Sequence, residues 1–246
     1  MQNTLKRQIP LTASDIDNHR LCRLSALLGY LQNMATDHAV ILGFGGEEMF
    51  ANHGAFWMMV RLYVRLRRPV FSGEELTIHT WHRGAAKTVT VFRDFDLFVG
   101  DECVGEAVMS WVLADVEGRK IRKPATIPEL ADSPRPAQVK DIIPAKIKPP
   151  AEMERVMARP VYYSDTDING HMNNTKYADI ACDAIRYDRC NNQFISEVQI
   201  NYLCECFPGE DIIVLGGEAD GVHYIRGTDG AGKHRFDACI KLEEME

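Results

Sequence analysis

The chain has 246 residues, 46% of them hydrophobic, enough to bury a full core in one large domain or in two smaller ones. Lys and Arg number 28 against 35 Asp and Glu, a net charge of −7, which argues against a general binder of nucleic acid or anionic membrane and requires a local basic patch for any acidic partner. The seven Cys are scattered without a disulfide framework, MQNTLKRQIPL has no signal-type apolar run, and no stretch reaches the roughly 18 apolar residues of a spanning helix, so a reducing cytoplasm is the expected setting.

In chain order, RLCRLSALLGYLQNMATDHAVILG carries Leu21, Leu24, Leu28, Leu31, Ala35 and His38 at three- and four-residue steps, which predicts one amphipathic helix closed by Gly43. GFGGEEMFANHG follows and reads as a Gly-rich loop. Strand-like runs come next: FWMMVRLYVRLRR, EELTIHTW, KTVTVFRDFDLF and ECVGEAVMSWVLADV. Seven of the eleven prolines then crowd into KPATIPELADSPRPAQVKDIIPAKIKPP, which cannot hold a helix or a central strand and reads as an extended linker. Beyond it, Tyr177, Ile180, Ala181, Ala184 and Ile185 form a second helical stripe, followed by EVQINYLCEC, DIIVLGGEA, VHYIRG and KHRFDACIKLEE as strands.

The two halves share landmarks. SDID at 14–17 recurs as SDTD at 164–167, and GEELTI at 73–78 recurs as GEDIIV at 209–214. One helix and a run of antiparallel strands, twice over, predicts an α+β chain in which a curved sheet wraps a helix in each half. The expected boundaries are 1–130, a linker at 131–152, and 153–246.

SDTDINGHMNNTKY, at 164–177, concentrates far more hydrogen-bonding chemistry than a helix cap needs. Read as an extended lead-in, it would point Asp165, Asp167, Asn169 and His171 to one face, with the following helix start supplying amides near Gly170. The second cluster is YLCECFPGE at 202–210. Its C-x-C spacing lacks a second ligand pair for zinc, so no metal is expected. Glu205 and Cys206 offer instead a general base for water or a thiol nucleophile, with Pro208 and Gly209 marking a bulge that would re-aim Glu205.

DTDINGHMNNTKY resembles the D-x-N-x-H-x-N-N-x-K-Y motif of the acyl-acyl carrier protein (ACP) thioesterases, and YLCEC resembles their Y-R-R-E-C. The likeness runs over nearly the whole chain, and departs from the family where Leu203 and Cys204 replace two arginines. It implies two tandem hotdog domains, hydrolysis of fatty acyl-ACP without a cofactor, and catalytic Asp167, Asn169, His171, Glu205 and Cys206. Glu205 or Asp167 would orient water, Asn169 and the Gly170 amide would polarise the thioester carbonyl, and His171 would position groups or transfer a proton. Cys206 acting as nucleophile with His171 is the rival route. The first half, with Pro69 and Val70 opposite Glu205 and Cys206, lacks a complete site and is expected to supply the acyl pocket. The acidic carrier protein would dock on Arg61, Arg65 and Arg67, taken as one exposed strand face, with GRKIRK adding cations. A homodimer is a candidate assembly. An acyl-CoA thioesterase, a hotdog dehydratase and a non-catalytic acyl-binding module are the competing readings.

Overall fold

The computed structural model describes residues 3–84, 88–127, 130 and 139–245. By its contacts the chain divides into two compact units: residues 1–11, 29–62 and 73–144 make up the first, and residues 12–28, 63–72 and 145–246 the second.

The first unit contains β1 (Leu5–Pro10), most of α1 (Leu24–Ile41), α2 (Gly46–His53), most of β2 (Ala55–Leu66), β3 (Glu75–His82), β4 (Thr90–Val99), β5 (Glu102–Asp115) and β6 (Ile121–Arg122). Its strand order is β1-β3-β4-β5-β2, with β6 against β5. The second unit contains β7 (Glu154–Pro160), α3 (Lys176–Ala184), β8 (Gln193–Tyr202), β9 (Asp211–Ala219), β10 (Val222–Thr228) and β11 (His234–Glu244), in the order β7-β9-β10-β11-β8. The two orders are identical once β7 is matched to β1 and each later strand to its counterpart. The repeat suggested by two short sequence matches is therefore a repeat of whole topology.

In the first unit the stripe of α1 turns inward, with Leu31, Met34 and His38 fully buried. Alternate residues of β3 and β4 face it: Leu76, Ile78 and Thr80 on one strand, Phe95 and Leu97 on the other. This face is not wholly apolar. Arg93 donates from Nη1 to His38 Nδ1 at 2.8 Å, and burial together with the Arg93 charge pushes His82 down to about 4. The outer face carries Asp94, bidentate to Arg83, while Lys140 spans Asp96 and Glu106 at 2.5 and 2.8 Å. Those bonds fix Lys140 to the sheet although it belongs to no strand. Residues 131–138 of the expected linker lie outside the described residues.

Three expectations are corrected. The Gly-rich segment after α1 is the helix α2, because its glycines stand at the ends: Gly45 is the N-cap, Gly54 takes a left-handed φ of 55° at the C-cap, and Glu47 and Glu48 occupy the first turn. β1 and β7 were not read from the sequence, since both are edge strands with mostly exposed side chains and no clean alternation. β8 ends at Tyr202, so Leu203 to Cys206 are not strand.

In the second unit, Tyr177 of α3 packs edge-on against Tyr202 at 5.3 Å and Phe236 at 5.1 Å, which seats the helix on β8 and β11. Gly227 of β10 stands opposite Phe236 in register, and any Cβ there would strike the Phe236 ring. Gly227→Ala is expected to lower stability by about 1–3 kcal/mol through overpacking, read as a shift in the urea midpoint with the slope unchanged.

Candidate active site

The site begins as a backbone device. After β7 the chain makes a short 3-10 turn at Tyr163–Asp165, in which Asp165 Oδ2 accepts from the Tyr162 amide at 2.9 Å and pairs with Arg159. Asp165 therefore faces Arg159, not His171, and the expected convergence of alternate residues fails because the segment is turned rather than extended. The chain then folds over on itself: the Asp167 amide donates to the His171 carbonyl and the Gly170 amide to the Asp167 carbonyl, each at 3.0 Å. Gly170 sits at φ 76° in this turn, and α3 starts only at Lys176. The Gly170 amide is thus committed to the turn and is not a helix-terminal donor, a correction to the sequence reading. The N-cap is Thr175, which is itself held by Asn173, whose Oδ1 accepts from the Thr175 amide and hydroxyl at 2.9 Å.

One further bond brings the second motif in. The Met172 amide donates to the Cys206 carbonyl at 2.8 Å, so the segment after the turn runs beside the segment after β8. The result places His171 between two carboxylates. Its Nδ1 lies 3.7 Å from Asp167 Oδ2, and its Nε2 lies 3.9 Å from Glu205 Oε1. Both gaps exceed a direct hydrogen bond. Side-chain exposure rises along the row, 13% for Asp167, 21% for His171 and 31% for Glu205, so the glutamate is the member most open to solvent. Asp167 also accepts from the Asn169 amide at 2.8 Å, which fixes its carboxylate, while Asn169 itself is exposed at the turn.

Cys206 is of a different kind. It is fully buried, and its thiol shares a hydrogen bond with the Tyr177 hydroxyl. Burial pushes the thiol up from its ordinary value, and the Tyr177 bond and the Arg235 charge only partly oppose it. Nucleophilic cysteines are partly exposed and have a lowered pKa, and Cys206 shows neither mark. Tyr177 and Arg235 were not assigned to the site from sequence. Tyr177 was read as part of the helical stripe and as the last residue of DTDINGHMNNTKY, with no role of its own, and Arg235 has no motif around it.

The first half keeps this backbone and carries different side chains. The Asp17 amide bonds the Leu21 carbonyl at 2.9 Å, the Arg20 amide the Asp17 carbonyl at 3.1 Å, and the Cys22 amide the Val70 carbonyl at 2.8 Å, each matching a bond in the second half. Asp17 Oδ1 accepts from the His19 amide as Asp167 does from Asn169. Leu21 occupies the position of His171, and Pro69 and Val70 those of Glu205 and Cys206, as aligned from sequence. Around Leu21 lies an apolar cavity of about 30 Å³, room for about one water and far too little for an acyl chain.

Of the residues expected to meet the carrier protein, Arg65 and Arg67 are exposed and line a groove of about 300 Å³ that also holds Glu197 and Glu243. Arg61 does not share that exposed face: it is half-buried and donates to the Pro144 carbonyl at 3.2 Å. No cluster of metal-binding side chains occurs among the described residues.

A helix wrapped by a curved sheet, present twice and carrying one carboxylate-flanked histidine, defines a tandem hotdog protein. Residues 2–129 match the acyl-ACP thioesterase N-terminal domain and residues 149–234 the acyl-ACP thioesterase C-terminal domain; the chain belongs to the acyl-ACP thioesterase family. It is 23% identical over 216 residues to the chloroplastic dodecanoyl-[acyl-carrier-protein] hydrolase of Cinnamomum camphora, covering 82% of this chain and 56% of that protein. The chain thus spans about half the length of the curated relatives it matches. Among solved structures it resembles an acyl-ACP thioesterase from Bacteroides thetaiotaomicron, with a TM-score of 0.86 at 21% identity over 98% of each chain. The 12:0-ACP thioesterase of Umbellularia californica superposes with a TM-score of 0.83 at 19% identity, over 99% of this chain and 98% of the other.

The Asp165–Arg159 pair generates a test of the site's framework. Burial alone would raise the Asp165 carboxyl, but the Arg159 guanidinium and the Tyr162 amide outweigh it and hold the carboxyl below its ordinary value. The resulting stability is fully present above the unfolded value near ~4 and is lost as pH falls through the lower folded value. Arg159→Met should flatten the fall in urea midpoint between pH 6 and pH 3; an unchanged slope would remove the pair from the account.

Proposed function

We propose that the protein hydrolyses fatty acyl-ACP to free fatty acid and ACP, using water activated by a carboxylate and no cofactor. The observation that carries this reading is the row Asp167–His171–Glu205 standing beside a thiol that is buried and bonded to Tyr177. The Met172 carbonyl at 3.4 Å and Asp167 at 3.7 Å orient the imidazole through Nδ1, which leaves Nε2 toward Glu205. Glu205, the most exposed of the three, takes the proton of the attacking water, and His171 steadies the developing charge or returns the proton to the departing thiolate. Asn169, exposed at the turn, is placed to donate to the thioester oxygen.

In this reading 153–246 is the catalytic half, 131–152 the linker and 1–130 the half that accepts the acyl chain along the α1 stripe. The seven free cysteines suit a cytoplasmic enzyme. The acyl-CoA thioesterase reading keeps the same chemistry and changes only the carrier.

Glu205→Gln, Asp167→Asn and His171→Ala are each expected to cut kcat by about 10²–10⁴, whereas Cys206→Ala keeps most of the activity. A folded but inactive Cys206→Ala, with an acyl group trapped on the parent enzyme, would establish the thiol route in place of water. On matched chains, kcat/KM should be higher for acyl-ACP than for acyl-CoA. If Arg65 and Arg67 guide the acidic carrier, changing both to Glu should raise KM for acyl-ACP at low salt and leave acyl-CoA alone. Equal rates on the two carriers would favour the CoA reading.

A further inference from the structure

Between the end of β8 at Tyr202 and the start of β9 at Asp211 the chain has no ladder partner to hold it, yet Glu205 lies in the middle of this segment. What fixes it is largely one residue of β11. The Arg235 carbonyl accepts from the amides of Leu203 at 2.9 Å and Cys204 at 3.0 Å. Its guanidinium donates from Nη1 to the Glu205 carbonyl at 2.5 Å and from Nη2 to Glu210 Oε1 at 3.0 Å. Nη2 also pairs with Asp229 at 3.2 Å. Glu210 in turn uses its other oxygen to accept the Phe207 amide at 2.9 Å, and Asp229 accepts the amides of Ala231 and Lys233 at 2.9 Å. The beginning of the segment is therefore tied to the Arg235 backbone, and its middle and end to the Arg235 guanidinium, a side chain only 11% exposed.

We propose that Arg235 is a positioning residue, which sets the backbone at Glu205 so that its carboxylate meets His171. The proposal rests on the reading of Glu205 as the base. The geometry needs a fork: three acceptors in three directions suit the planar guanidinium, whereas an ammonium of similar charge cannot span them. The first half supports the need to hold this carbonyl, since Pro69, which matches Glu205, has its carbonyl bonded by Arg68 Nη1 at 2.9 Å. There the clamp comes from a neighbour in sequence and serves no carboxylate. In the second half it comes from another strand and so ties Glu205 to the sheet. Glu205 and His171 reach the site from separate segments, and a shift of about 1 Å between reacting groups costs on the order of 10²-fold in rate.

The experiment measures kcat and KM for the most rapidly cleaved acyl-ACP in full-length Arg235→Lys, Glu210→Gln and Glu205→Gln, and in the two doubles that add Glu205→Gln. Thermal unfolding and far-UV circular dichroism establish that each is folded. Arg235→Lys is expected to lower kcat about 10²-fold with KM little changed. Glu210→Gln, which removes the charge from one of the three guanidinium contacts and spares the Arg235 backbone bonds, should lower kcat less and serves if Arg235→Lys does not fold. In the Glu205→Gln background either change should alter kcat by no more than about twofold, since groups acting as one unit are not additive. Full additivity, or a folded Arg235→Lys with parental kcat beside an inactive Glu205→Gln, would overturn the role of Arg235 alone. A fully active Glu205→Gln would overturn the base assignment and this role with it.

Discussion

The whole site hangs on the 2.8 Å bond from the Met172 amide to the Cys206 carbonyl. His171 precedes its donor by one residue and Glu205 precedes its acceptor by one residue, so the bond brings a turn and a strand exit side by side and sets their reactive side chains face to face. A backbone bond of this kind contributes only about 0.5–1.5 kcal/mol net, but it is the register mark that decides which side chains meet. Asp167 is then placed by the turn itself, through bonds to the His171 carbonyl and the Asn169 amide. Asp167, His171 and Glu205, from two segments, are brought together mainly by main-chain geometry.

The same arrangement separates the chemistry of two neighbours. Glu205 and Cys206 are adjacent in sequence, yet one points toward His171 and solvent while the other turns into the core under Tyr177. Burial disfavours the thiolate, and the aromatic packing of Tyr177 on Phe236 and Tyr202 keeps the hydroxyl where it meets the sulfur. Which of the two groups is fit to react follows from the peptide's direction at a single point.

Much of this was legible in the sequence because several polar residue types stand within a few positions, a density greater than a helix cap alone requires. The repeat was legible too, since Asp-rich and Gly-Glu landmarks recur where the backbone makes the same turns. What escaped has definite physical reasons. Asp165 carries the same side chain as Asp167, and only the pairing with Arg159 shows that it builds rather than reacts. α2 was hidden by glycines that cap it. β8 was drawn too long because YLCEC is apolar enough to continue a strand, while its amides are in fact spent on the Arg235 carbonyl. Contacts made by one arginine to five different residues leave no spacing to read.

The loop around Asp17 acts as an internal control that nature has run on the motif. Leucine stands there in place of histidine, proline of glutamate, valine of cysteine, and Arg20 at φ 65° of a left-handed glycine, with the hydrogen-bonded turn retained. The turn therefore tolerates these exchanges, and its survival in both halves marks a duty in folding that is older than, or independent of, turnover. For anyone redesigning the enzyme, the two copies divide the motif into a scaffold, which is to be left alone, and a set of replaceable side chains. Restoring chemistry to the silent copy would be a problem of side chains and space, with the main chain already in place.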